Sequence, residues 1–132
     1  MRRSLAVLLF VGTIACGSDV VIIDNWDFPR FLVVGMVSSE GETIPATRVD
    51  VRISYAPCPD SAFFFVGAPT TDANGWYEQP VTTQSVEFRG CIEATATPPI
   101  STGLPPLQRV GDFDIVVAHR GTVVPFDLTY PD

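Results

Sequence analysis

Lysine is absent from this sequence of 132 residues and histidine occurs once, so eight arginines carry all the fixed positive charge. Against them stand 15 acidic residues, a formal net charge of −7. A surface of that sign repels phosphate backbones and anionic headgroups, so nucleic acid is not an expected partner. The acids are scattered along the chain, as on a solvated surface rather than in an acidic binding patch. With one histidine and no Cys-x-x-Cys pair, a metal centre is not expected, and His119 reads as a locally satisfied strand residue. No Gly-x-Ser-x-Gly elbow marks a serine nucleophile, and spacing alone assigns no pair of catalytic carboxylates. Asp72-Ala73-Asn74-Gly75 is a fragment of a calcium-loop pattern without its distal Glu. The sequence therefore names no catalytic residue and implies no cofactor.

Helical patterning is also missing after the first 15 residues. What is there instead is 12 Pro, 10 Gly and 9 Phe, with abundant Val and Thr, in short apolar runs bounded by turn residues. That composition predicts an all-β fold. The length allows one domain, which at this size buries roughly two-thirds of its unfolded surface. Seven strands are predicted, at residues 31–38, 48–55, 62–67, 76–82, 87–97, 112–119 and 122–130. No helical crossover separates them, so the expectation is a seven-stranded antiparallel β-sandwich.

The organising stretch is Thr71-Asp72-Ala73-Asn74-Gly75-Trp76-Tyr77. Asn74-Gly75 predicts a tight type I′ connection, because both residues tolerate positive φ. Asp72 can accept from backbone amides two residues on and close the loop. Beyond it, Tyr77, Gln79 and Val81 share one face of a strand, while Trp76 and Glu78 share the other. Pro80 predicts an edge position or a bulge, and Gly35 a bulge or a close backbone approach. Residues 48–55 alternate most clearly, placing Val49, Val51, Ile53 and Tyr55 on the buried side. In 87–97, Phe88, Gly90, Ile92, Ala94 and Ala96 share one parity. If those face the core, Cys91 points away from it. Residues 98–108 hold four prolines and read as an extended loop.

The amino terminus has the layout of an export signal. Arg2 and Arg3 precede an apolar run over 5–14, which ends in Ala15-Cys16-Gly17 and is shorter than the roughly 20 residues a spanning helix needs. Thr13-Ile14-Ala15-Cys16 resembles the lipobox of a bacterial lipoprotein. That resemblance implies cleavage before Cys16, a diacylglycerol on its thiol and acylation of its amine, hence a membrane anchor. Gly17, where Asp would favour inner-membrane retention, points to the outer membrane. Thr13 stands where such signals usually carry Leu, so an ordinary secretory signal cut after Ala15 is the alternative. The expected organisation is a signal peptide at 1–15, a lipidated tether at 16–29 and a domain at 30–132.

Three cysteines in an exported chain leave one over unless it has another role. Lipidation gives Cys16 that role and leaves Cys58 and Cys91 for a disulfide, the alternative being two separate buried thiols.

A second resemblance covers about half the chain. Gly35-Met36-Val37, Pro45 ahead of Val49-Asp50-Val51, the stretch from Thr71 to Tyr77, and Ile92-Glu93-Ala94 follow one another as in the carboxypeptidase regulatory-like domain, one of the transthyretin-like (prealbumin-like) sandwiches. The family often has Gly just before its second strand, where this chain has Arg48. The resemblance implies a noncatalytic binding or accessory module and supplies no ligand. Enzymes on neighbouring sandwiches need more histidine than this chain owns: an intradiol dioxygenase-like iron site takes two His and two Tyr, and a hydroxyisourate hydrolase takes more than one His. The expected function is a noncatalytic envelope lipoprotein that binds protein or polysaccharide through Trp76, the proline loop and, with the aromatic cover of the sandwich as the alternative, Trp26. The other reading is a purely structural envelope domain.

Overall fold

The computed structural model describes residues 30–58, 62–83, 87–116 and 122–132. The signal at 1–15, Cys16, Trp26 and His119 lie outside the described residues.

Two sheets pack face to face. In the first, β1 (Arg30–Ser39) is the central strand, and it has the alternating apolar parity that a two-layer fold requires: Phe31, Val33 and Val37 are fully buried. Along one edge it pairs antiparallel with β5 (Trp76–Thr82) and then with β2 (Glu42–Thr43). Val37 serves both partners, donating to Gly75 O at 2.9 Å and accepting from Ile44 N–H at 2.8 Å. Along the other edge lie β8 (Thr122–Pro125) and then β9 (Leu128–Tyr130), both parallel to β1. The second sheet has the order β4 (Phe64–Gly67), β3 (Arg48–Ser54), β6 (Glu87–Thr97), β7 (Leu107–Val116), all antiparallel.

The core lies between the layers. Phe31, Val33, Val37, Tyr77, Val81, Val124, Phe126, Leu128 and Tyr130 come from the first sheet and its connections, and Val49, Val51, Ile53, Ile92, Ala94 and Ala96 from the second. Phe31 meets Phe113 of β7 across the layers, with ring centroids 5.6 Å apart.

The β-sandwich expectation holds, and four of its details are corrected. Nine strands occur among the described residues rather than seven, because the short β2 forms and the final stretch breaks into β8 and β9 around Phe126-Asp127. Those two strands run parallel to β1, so the sandwich is not wholly antiparallel; a parallel pair needs a long connection, and the rest of the domain lies between β1 and β8. The proline loop ends earlier than expected, with β7 starting at Leu107, and it contains a 3-10 turn over Ile100–Thr102 closed by Gly103 at positive φ. Finally, Tyr55 is 56% exposed, not buried. β3 ends at Ser54, whose hydroxyl accepts from Ala56 N–H at 3.1 Å and turns the chain out of register with the strand's parity.

Candidate binding surfaces

Gly35 and Tyr77 are paired neighbours on β1 and β5, and together they receive the break between β8 and β9. Phe126 N–H donates to Val34 O at 2.7 Å, Met36 N–H donates to Asp127 Oδ1 at 2.9 Å, and the Tyr77 hydroxyl donates to the Phe126 carbonyl. A Cβ at Gly35 would sit 2.7 Å from the Phe126 carbonyl carbon and 2.9 Å from the Tyr77 ring, so the close approach predicted at this glycine is real and only hydrogen fits. Arg109 of β7 closes the node from the other sheet, its guanidinium 4.2 Å from the Phe126 ring centre and donating to Asp127 O at 2.8 Å. Burial first, then the Asp127 carboxylate, push the Tyr77 hydroxyl well above its ordinary value, against the opposing pull of Arg109. This tyrosine is a structural donor.

The turn motif divides into two jobs. Asp72 caps its loop as expected, its carboxylate accepting from Asn74 N–H at 2.8 Å and from Trp76 N–H at 3.0 Å, while its own amide donates to Trp76 O. Only Gly75 has positive φ (80°), so the loop is not the type I′ turn predicted for Asn74-Gly75. It is the three-residue kind, in which a tight turn, Gly75 N–H to Asp72 O at 3.0 Å, is followed by a left-handed glycine. The pair of positive φ angles that defines type I′ occurs instead at Glu40 (52°) and Gly41 (80°), between β1 and β2. A Glu in that conformation gives no sequence signal. Thr71 does the second job: its buried hydroxyl accepts from Thr47 N–H and donates to Ile44 O, both at 2.8 Å, tying two loops at one end of the sandwich.

Trp76 lies on the outward face of the first sheet, 42% exposed and opposite Met36. Leu32, Val34 and Met36 run half-buried down the middle of that face. Pro80 is paired with Leu32 on one side, and Val123 and Pro125 are paired with Leu32 and Val34 on the other. Together these seven residues form an apolar strip, interrupted on its β5 side by Glu78 opposite Val34, that the alternation of β1 did not reveal, because both parities of that strand are apolar. A cleft of about 400 Å³ opens between the β1–β2 turn and the proline loop, with Glu40, Glu42, Thr43 and Thr102 on its walls and Ile44, Pro45 and Leu104 beneath.

Cys58 and Cys91 form the expected disulfide. Cys91 is fully buried yet outside the inter-sheet core, under the loop that carries Cys58, as its parity in β6 required. Asp112 Oδ1 accepts from Cys58 N–H at 2.7 Å. The two sulfurs and this carboxylate lie within 4.8 Å of one another, but each sulfur is spent on the other, so they do not make a metal site.

No protein-family description matches the chain, and no curated protein does. Solved structures do. The dioxygenase domain of a dioxygenase carbohydrate-binding protein fusion from the cellulolytic bacterium Streptomyces sp. SirexAA-E superposes with a TM-score of 0.52 at 15% identity, over 83% of this chain and 84% of that one. Chlorocatechol 1,2-dioxygenase from Pseudomonas putida gives the same TM-score and identity over 81% of this chain and 62% of its own. At 15% identity these likenesses show the β-sandwich fold alone. A two-His, two-Tyr iron set does not fit the residues present. The chain has one His, and its three tyrosines point to separate tasks: Tyr77 to Phe126, Tyr130 to Pro105 O at 2.6 Å, and Tyr55 stacked on Phe64 at 5.2 Å.

Proposed function

We propose that the chain is a noncatalytic lipoprotein of a bacterial envelope, anchored through Cys16 to the outer membrane, whose carboxypeptidase regulatory-like sandwich binds an envelope protein or polysaccharide. The observation that carries the reading is the apolar strip around Trp76. Once residues 1–15 and their two arginines are removed, six Arg remain against 15 acids, a formal charge of −9. On so acidic a body, an apolar strip along β1 that ends on a half-exposed indole is the signature of a contact surface. Trp offers a flat apolar ring with one N–H donor, which suits either a protein side chain or the apolar face of a sugar ring.

The test is a crosslinking pull-down from envelopes with the full chain and with Trp76→Ala. A binder loses its partner while its melting temperature stays nearly constant; retention of every partner by the variant refutes the site. Mass spectrometry of the mature amino terminus tests the anchor separately, with the mass of a diacylglycerol on the Cys16 thiol expected and a mature chain that begins at Cys16 without lipid against it.

A further inference from the structure

We propose a second interface, at the edge strand β4, through which two copies of this chain pair their four-stranded sheets into one continuous sheet. β4 ends the order β4-β3-β6-β7, and among the described residues no strand pairs with its outer side. An exposed strand edge is a row of backbone donors and acceptors ready for another strand, and soluble proteins guard such edges with charge or proline. The other edges here are guarded. β7 carries Arg109, Asp112 and Asp114, β5 carries Glu78 and Pro80, β2 carries Glu42, β8 ends in Pro125, and β9 is followed by Pro131 and Asp132. β4 carries no charge or proline of its own, since residues 62–68 contain neither and Pro69 comes two residues past its end; its shortness and its register shift are its only guards among the described residues. Its side chains are instead large and apolar, with Phe65 59% and Phe64 37% exposed, and Tyr55 stacked on Phe64.

The occupant this edge fits best is its own copy. A two-fold axis near Phe65 sets two β4 strands antiparallel, the arrangement in which a short neutral strand is complementary to itself. Phe65 then faces Phe65 of the second copy as a cross-strand aromatic pair on the outward face, the face it shares with its register partner Arg52. Among the described residues, the charged side chain in register with Phe65 is Arg52, which is balanced by its ion-pair partner Glu93 at 3.1 Å. β4 is short, its register with β3 shifts between Val51 and Arg52, and Gln79 Nε2 already holds Val66 O at 3.2 Å. Pairing is therefore confined to a few residues, and the dimer is a weak one that dissociates on dilution.

Sedimentation velocity of the full chain over a concentration series, in a density-matched detergent, reads the mass directly. The expected result is a rise toward twice the monomer mass that Phe65→Lys abolishes, Phe65→Leu keeps in part and Trp76→Ala leaves as in the parent. A chain that stays monomeric throughout overturns the proposal, as does a dimer that survives Phe65→Lys with an unchanged circular dichroism spectrum. If Phe65→Lys does not fold, hydrogen exchange on the unaltered chain decides between dilute and concentrated samples. Added protection at residues 63–66 is the supporting outcome, and protection only elsewhere, including the Trp76 strip, overturns the proposal.

Discussion

Tyr77→Phe is the most informative perturbation of the fold, because it removes one oxygen and leaves the ring packed against Gly35. What disappears is the donor to the Phe126 carbonyl, at a site where Tyr77 is 2% and Phe126 4% exposed. Losing a buried acceptor's partner costs about 1–3 kcal/mol. In a domain of this size that lowers the melting temperature by about 4–12 °C, taking the lower end of the usual sensitivity, roughly 4 °C per kcal/mol. The pH dependence is a second readout with a definite sign. Burial holds the folded hydroxyl protonated well past the ordinary value of 10.0, so below pH 10 both folded and unfolded Tyr77 are neutral and the contribution is fully present. Above that pH the unfolded chain ionises first, and stability falls by about 1.4 kcal/mol per pH unit from this residue alone until the folded group also titrates. The variant loses this component. Tyr130, raised in the same direction by burial, keeps its own share in both proteins. Thermal melts at pH 7 and along a series above pH 10 measure both effects. Equal melting temperatures at pH 7, together with parallel alkaline losses, would refute the assignment of Tyr77 as the lock on the β8–β9 break.

Gly35→Ala should cost about 3 kcal/mol or unfold the domain, because the new methyl meets backbone on one side and the Tyr77 ring on the other; urea denaturation midpoints report it. Removing the disulfide with Cys58→Ser and Cys91→Ser together should lower stability by on the order of 3–4 kcal/mol in the chain-entropy model, for a sequence separation of 33. Reduction of the unaltered protein should shift its denaturation midpoint equally. Asp72→Ala should cost about 1–2 kcal/mol through the two amides it leaves without their acceptor, while Asp72→Asn, which keeps the accepting oxygen, should cost less than half of that in the same assay.

Sequence by itself determined the layer architecture and much of its parity. Val49, Val51 and Ile53 on one side of β3, Tyr77 and Val81 on one side of β5, and Ile92, Ala94 and Ala96 on one side of β6 are buried where alternation put them, because a period of two leaves no other way to cover one face of a strand. The same parity placed Cys91 outside the core and Trp76 at the surface. Gly35 announced a close approach but not its partner. The parallel placement of β8 and β9 and the split at Phe126-Asp127 belong to tertiary structure, since nothing local distinguishes a strand that will pair parallel from one that will pair antiparallel. The type I′ turn sits at Glu40-Gly41 rather than at Asn74-Gly75, because the backbone there is set by the register of β2 on β1, which overrides the preference of Glu for negative φ. Both candidate contact surfaces were hidden for the same reason: Leu32, Val34 and Met36, like Phe64 and Phe65, are apolar residues that read as core, and only the position of their strands shows that no second layer covers them among the described residues.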